Sequence, residues 1–458
     1  MAVWVKDKSF YANLFRLTLP IVFQGLITFG INFTDNLMVG TLGEYAIAGV
    51  YLGGQIQGFL QMMVGGIEGT ILVIASQYWG RKDMKSIKNI IAIGATASLF
   101  FGLLFCTASL FWTEGILSLF TPDKAVIAEG VRYLRVISVS FLCFSISQIL
   151  ISSMRSVETV RIGLYISILS FFTNIFFNWV FIWGKFGFET MGVAGAAWGT
   201  LLSRLFEVAA ILFYTFRVDQ RLKLKLKDLV TYNKVLIRDF LKYGLPLLGG
   251  QVVWSINIMV QSGIIGRMSA EAIAAISVSN MLFSLIYVGM TGLSSAVSII
   301  TGKTVGSGQF ELMKLYAKTI QLVFLGVGIV SGALIFSTKE LFLSLYTLEP
   351  QTLAYARQFL TILSITIVGT CYQAAGLAGL VKAGGDTAFV FMNDTIFVFL
   401  VVLPSAMLAL FVFNAPAWVV FLCLKCDQIF KCFVAVVKIN RFKWMKNLTH
   451  DTSEATLA

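Results

Sequence analysis

The segment LFRLTLP at residues 14–20 returns as FLKYGLP at residues 240–246. Laying Pro20 on Pro246 sets a single ungapped register for the chain beyond them. In that register Gly40 falls on Gly266, and Ala46, Ile47 and Ala48 fall on Ala272, Ile273 and Ala274. Gly80 meets Gly306, ILSLFT at 116–121 meets FLSLYT at 342–347, Tyr133-Leu134 meets Phe359-Leu360, and Ser138 meets Ser364. One register kept over roughly 120 residues is the mark of an internal duplication.

The duplicated unit is a set of apolar runs. In the first half they fall near residues 13–38, 47–76, 88–112, 126–153, 162–183 and 191–216, and in the second near 236–265, 272–301, 315–337, 352–381, 387–412 and 416–437. The chain has 458 residues, of which 57% are hydrophobic and only 13% charged, against about a quarter charged in soluble domains. A membrane-spanning helix needs about 20 predominantly apolar residues. The expectation is an all-α integral membrane protein of twelve transmembrane helices in two six-helix lobes. Six is even, so both lobes insert the same way up, and the repeat is parallel, about an axis along the membrane normal. The expected division is an N-terminal lobe over 1–217, an inter-lobe loop over 218–235, a C-terminal lobe over 236–440 and a polar tail over 441–458. Two such lobes enclose a cleft that opens to either side, the geometry of a transporter.

Charge gives the orientation. The net charge of +12 raises the question of nucleic acid, but the basic residues sit between apolar runs and mostly on alternate loops. With the N-terminus inside, the inner segments carry Lys6, Lys8, Arg81, Lys82, Lys85, Arg155 and Arg161, then the central run from Arg217 to Lys242, then Lys303, Lys314 and Lys382. The outer loops carry little beyond Lys124, Lys185, Arg267 and Lys339. This is the positive-inside pattern and puts both termini in the cytoplasm. The LKLKLK stretch of the central loop reads as a solvated linker, with anionic lipid as the other reading. The N-terminal segment has no short apolar core with a cleavage site and reads as a retained anchor. The six cysteines lie in or beside apolar segments and do not form a secreted disulfide framework. Cys423 and Cys426 make a CxxC pair with no second pair, which reads as ordinary intramembrane thiols. The one histidine, His450, is in the tail. With no HExxH and no Gly-rich phosphate loop, nothing points to an enzyme or to a bound cofactor.

Several segments resemble the multidrug and toxic compound extrusion (MATE) family. These are LPIVFQGLITFGINFTDNLMVGTLGEYAIAGV (19–50), ASQYWGRKD (75–83), NIFFNWVFIWGKFGFETMGVAGAAWGTLLSR (174–204) and YGLPLLGGQVVWSINIMVQSGIIGRMSAEAIAA (243–275). They occur in the family's order over nearly the whole chain. The resemblance implies a drug-sized central cavity and export of small organic compounds by antiport against protons or sodium. It places the protein in a bacterial cytoplasmic (inner) membrane, embedded in the lipid bilayer. Two complete lobes make a monomer sufficient.

Within that frame the chemistry falls to few residues. Asp35 lies deep in the first helix, and an intramembrane carboxylate is costly unless paired or protonated, so it is functional by default. Its repeat partner is Gln261, which does not ionise. The resemblance identifies Asp35 with the family's N-lobe coupling aspartate. Asn174 and Asn178 are four apart on one face of the fifth helix and match positions that hydrogen-bond that site, one of them an aspartate in some members. Either they attend a proton on Asp35, or Asp35, Asn174 and Asn178 offer oxygen ligands to sodium; as polar side chains between helices they also read as packing glue. Glu68 in the second helix, whose repeat partner is Ser294, is either a second titratable group or a residue facing water. Thr200 near the sixth helix is a weaker candidate for the same pocket. The NorM-like branch places acids in the seventh and tenth helices; here the seventh has Gln251, Asn257 and Gln261 and the tenth has none. Asp394 in the eleventh helix is the remaining deep acid of the second half. Proton coupling through Asp35 is therefore the leading expectation, with sodium as the alternative. Arg204 and Glu207 are spaced to pair on one helix face. Pro20 and Pro246 each remove a backbone hydrogen bond and permit bending, and Pro20 is the candidate hinge. A related flippase for a lipid-linked sugar, or a metabolite exporter, is the other transport reading. Sparse intramembrane arginine (Arg132, Arg135, Arg204, Arg357) counts against a pyrophosphate cargo.

Overall fold

A computed structural model describes residues 4–450, and among these no residue is in a strand. The membrane-spanning helices are α1 (Lys8–Gly40), α2 (Glu44–Arg81), α3 (Met84–Phe111), α4 (Lys124–Ser156), α5 (Arg161–Trp183) and α6 (Val193–Val218) in the first half. The second half has α7 (Lys234–Ile265), α8 (Ala270–Gly306), α9 (Phe310–Leu343), α10 (Pro350–Lys382) and α11 (Thr387–Val412). These 11 helices are long and apolar enough to cross a bilayer. The twelfth departs from expectation. In place of one apolar run over 416–437, α12 comprises two consecutive helices, Ala417–Lys425 and Asp427–Asn440, that meet at Cys426. The cause is local: Lys425, Asp427 and Lys431 crowd charge into its middle. Cys426 N–H donates to Cys423 O at 3.3 Å and Ile429 N–H to Cys426 O at 3.0 Å, three-residue bonds that tighten the turn.

The duplication extends further than side-chain identity shows. Lys8 and Lys234, Glu44 and Ala270, Met84 and Phe310, Lys124 and Pro350, and Arg161 and Thr387 each begin a helix, and each pair is related by the shift that carries Pro20 to Pro246. The caps differ while the starts agree. Asp83 and Asp123 accept from Ser86 N–H (3.1 Å) and Ala125 N–H (2.8 Å), whereas α10 starts with Pro350, which needs no partner for its nitrogen. The register slips by two residues only at the last pair, Val193 and Ala417.

The chain packs as two compact units. One holds Phe23–Gly244 with His450; the other holds the residues up to Val22 with Leu245–Thr449. The chain passes from one to the other inside α1, just after Pro20, and inside α7, beside Pro246. In the second unit, Val5 N–H donates to Thr319 Oγ1 at 3.0 Å and the Phe10 ring lies 4.4 Å from that of Tyr316.

The central loop is seated, not a solvated linker. Leu222 and Leu224 are buried while Lys223 and Lys225 point out, so residues 222–225 form an extended segment with one apolar face, and the exposed Leu226 begins a short 3-10 helix, Leu226–Val230. Lys88 of α3 pairs with Asp228 at 2.8 Å and donates to Lys223 O at 2.9 Å. The segment after α12, expected as a polar tail, is also placed as far as residue 450; residues 451–458 of that tail lie outside the described residues. Trp444 is fully buried, its ring filling the space where Gly384 lacks a Cβ, and Lys446 and Lys438 pair with Asp386 at 2.8 and 2.7 Å. In the first unit, His450 Nε2 lies 2.9 Å from Asp239 Oδ2.

A candidate ion-coupling site in the first half

Asp35 lies on α1, five residues before the helix ends at Gly40. It is partly exposed, while the two amides it meets are buried. Asn178 Nδ2 donates to Asp35 Oδ1 at 2.5 Å and, more weakly, to Asn174 Oδ1 at 3.3 Å. Asn174 Nδ2 reaches Thr200 Oγ1 of α6 at 3.4 Å. The structure thus brings Asp35, Asn178, Asn174 and Thr200 into one hydrogen-bonded line across three helices. The four-residue spacing of the amides does this, because it stacks them on one face of α5. Asn178 Oδ1 is buried with no hydrogen-bond partner and lies 2.1 Å from where a Cβ on Gly199 would stand. Only glycine leaves room there for the amide of Asn178.

A second polar cluster lies deeper between α4, α5 and α6. Glu207 is buried and pairs with Arg204 at 2.6 Å. It also accepts from Ser147 Oγ (2.7 Å), Ser170 Oγ (3.2 Å) and Gln148 Nε2 (3.5 Å). The Arg204 guanidinium lies 5.3 Å from the centre of the Phe144 ring. With its carboxylate acceptors filled, this pair is a structural tie of the kind that is costly to break on one side.

Glu68 stands apart from the Asp35 line. Its backbone carbonyl accepts from Ser152 Oγ at 3.1 Å, and its carboxylate makes no hydrogen bond among the described residues. The opposite charge acting on it is that of Arg155. Arg155 was expected in an inner segment; it stands in the last turn of α4, partly buried, with its Nη2 donating to Gln24 Oε1 at 2.8 Å.

Asp394 belongs to the other unit, and it is not the only deep acid there. Asp427, at the break in α12, is buried, whereas the side chain of Asp394 is 38% exposed. Lys431, also buried, lies between them at 3.0 Å from Asp394 and 3.2 Å from Asp427. Sequence reading missed this ion triad because it took α12 as uniformly apolar. The charges at 425, 427 and 431 were the available signal. Arg132, Arg135 and Arg357 pair with Glu129, Glu114 and Glu340 at helix surfaces. The six cysteines are free.

Comparison with known proteins bears on the whole chain. The family model described as MatE matches it twice, over residues 20–180 and 246–412, beginning at the two prolines that set the repeat. The "uncharacterized transporter YisQ" of Bacillus subtilis is 26% identical over 84% of this chain and 83% of its own length. A "probable multidrug resistance protein NorM" of Listeria monocytogenes is 27% identical over 72% of this chain and 73% of its own. Among solved structures, a mutant of the Vibrio cholerae MATE transporter VcmN superposes with a TM-score of 0.86 at 15% identity, covering 96% of this chain and 98% of that one. The eukaryotic MATE transporter AtDTX14 gives 0.82 at 18%, covering 97% and 98%. At these identities the likeness is one of fold. Members of the matched family are transporters, not enzymes, and carry multidrug efflux among their functions. A multi-pass, all-helical membrane protein whose two halves each match that family at the same starting proline, this chain belongs to the MatE family, the MATE transporters.

Proposed function

We propose that the protein exports drug-sized, cationic or amphipathic organic compounds by alternating access, in antiport with protons carried on Asp35. The observation that supports a proton is the contact from Asn178 Nδ2 to Asp35 Oδ1. Asn178 offers the carboxylate a donor, whereas a hard cation collects oxygens. An ionised Asp35 only accepts hydrogen bonds; a protonated one also donates. A half-turn of the Asn178 amide exchanges its donor for its acceptor. The acceptor in question, Asn178 Oδ1, is buried and without a partner. The pair therefore reads the protonation state of Asp35 and passes it along Asn174 to Thr200.

In this reading a proton taken from outside neutralises Asp35, α1 shifts about Pro20, and cargo affinity falls. Release of the proton to the cytoplasm resets the site. Coupling needs the two states to differ in affinity for both proton and cargo. The site is in the cytoplasmic membrane with both termini inside, and a single chain suffices.

The test is efflux of a cationic dye from liposomes containing the purified protein, under a pH gradient and a sodium gradient applied separately. Efflux driven by the pH gradient and lost in Asp35→Asn is the expected result. Efflux driven by sodium alone, or proton-driven efflux that survives Asp35→Asn, refutes the assignment.

A further inference from the structure

Glu68 of α2 and Arg155 of α4 are an acid and a base of the first unit that stand near each other without meeting. Among the described residues, each is the only charged group that acts on the other. Yet they form no ion pair, and the Glu68 carboxylate makes no hydrogen bond. The two helices do touch at this level. Ser152 Oγ donates to Glu68 O at 3.1 Å, and Arg155 is one turn further along α4. Its guanidinium is engaged elsewhere. Nη2 donates to Gln24 Oε1 of α1 at 2.8 Å, while Nε is buried with no hydrogen-bond partner. Gln24 is itself buried and hemmed in by α5, where a Cβ on Gly163 would stand 2.5 Å from the same oxygen. Glu68 and Arg155 are partly exposed.

Two opposite charges withdrawn from water gain most by meeting with their hydrogen bonds filled. The buried, unfilled N–H at Arg155 Nε is a donor that a carboxylate would take, and this pair has not closed. A protonated Glu68 accounts for that. A neutral carboxyl inside a spanning helix needs no counter-ion, whereas an ionised one is costly without a partner. Arg155 then serves the amide of Gln24 instead. The place of Gln24 gives the contact its meaning. It stands four residues beyond Pro20 and eleven before Asp35 on the same helix, about 16 Å along the axis from that carboxylate. The bond from Arg155 therefore fixes α1 just past its candidate hinge.

We propose that Glu68 is a second protonation site, apart from Asp35, and that it controls α1 through Arg155. With the proton on Glu68, Arg155 holds Gln24 and α1 is tied to α4. When the carboxyl gives its proton to water, the carboxylate takes the Arg155 guanidinium. Gln24 Oε1 then loses its donor, and α1 is free to move about Pro20. One proton leaves, and Arg155 stays charged throughout. The partial exposure of Glu68 gives that proton its way out, and with both termini inside, Glu68 lies nearer the cytoplasmic end of α2, 13 residues before Arg81. Asp35 rides on the same helix as Gln24, so its surroundings follow the state of Glu68. This rests on the proton-antiport reading above. Its test uses neither cargo nor gradient and includes Asp35→Asn, so the two fail separately.

The experiment uses the full chain in lipid nanodiscs, with its native cysteines replaced by serine and a nitroxide on a cysteine at Phe23, an exposed position of α1 beside Gln24. The mobility of the label is followed by electron paramagnetic resonance as pH is raised. The expected result is a restricted label at low pH that becomes mobile at high pH. Glu68→Gln, which imitates the protonated acid, keeps the label restricted at every pH. Arg155→Met leaves it mobile at every pH, and if that variant does not fold, Gln24→Leu removes the acceptor and gives the same result. Asp35→Asn keeps the transition. Infrared difference spectra over the same titration show a protonated-carboxyl band that is lost with the transition and is absent from Glu68→Gln. No transition in the parent chain, a transition or band that survives Glu68→Gln, or a transition lost in Asp35→Asn overturns the inference, the last by assigning the proton to Asp35 alone.

Discussion

At the scale of single residues, the Asp35 site depends on how closely α5 and α6 approach. Gly199 of α6 carries no Cβ, and one placed there would stand 2.1 Å from Asn178 Oδ1 and 2.8 Å from the Asn178 backbone nitrogen. Gly199→Ala therefore pushes the amide off Asp35. Overpacking of this kind costs about 1–3 kcal/mol. We expect the variant to fold, to keep a helical spectrum, and to lose most pH-driven dye efflux; full efflux at wild-type rate contradicts the role given to Asn178. Asp35, Asn174, Asn178 and Thr200 were legible in the sequence because polar residues in apolar runs stand out and a four-residue spacing fixes a face. Several other charges, in both units, were not. Arg155 and Lys382 lie near helix ends, and the positive-inside pattern assigned them to loops. Asp427 and Lys431 lie four apart in a run whose hydropathy hid them, and only the fold shows that Asp394 of α11 meets the same lysine.

At the scale of elements, prolines and breaks mark where helices depart from the ideal. In α11, Pro404 lacks the N–H that would bond to Leu400, and the turn before it, Phe397–Val402, is wound as a π-helix. In α1 and α7 the prolines stand where the chain changes unit. Pro20→Ala restores a backbone bond and stiffens α1. The expected outcome is slower exchange of dye across liposomes with dye affinity within about twofold of wild type, a split that separates a hinge from a binding residue. Unchanged rates remove the hinge. The α10–α11 connection carries its own tie. Burial raises the Asp386 carboxyl, but the hydrogen bonds and charges of Lys438 and Lys446 outweigh it and hold Asp386 below the usual carboxylate range. A depressed carboxylate stabilises the fold above the unfolded-state value of about 3.9 and loses that contribution as pH falls through the folded value. The melting temperature of Asp386→Asn should thus lie below wild type at neutral pH, with the gap closing below about pH 4. A gap that does not change with pH contradicts the pairing.

At the scale of the whole molecule, two things were legible early and one was not. The duplication was readable because one proline-anchored register runs through both halves, and the helix starts carry it from α1 and α7 to α5 and α11. The membrane was readable from hydropathy. The passage of the chain between units inside α1 and α7 was not, since apolar periodicity says that a helix continues but not which neighbours it packs on. Orientation also belongs to this scale. In a background with the six native cysteines replaced by serine, a cysteine at Lys185 should react with a membrane-impermeant maleimide added outside cells, and one at Lys82 should not. The reverse pattern inverts the topology and with it the direction of transport. The central claim is that the proton on Asp35 and the cargo exclude one another. It is tested most directly by adding a cationic dye to the purified protein in weakly buffered detergent solution and recording the protons released, across a range of pH, for wild type and Asp35→Asn. The account predicts proton release on dye binding by the wild type and none from the variant. Dye binding by the wild type without proton release, or equal release from both, contradicts it.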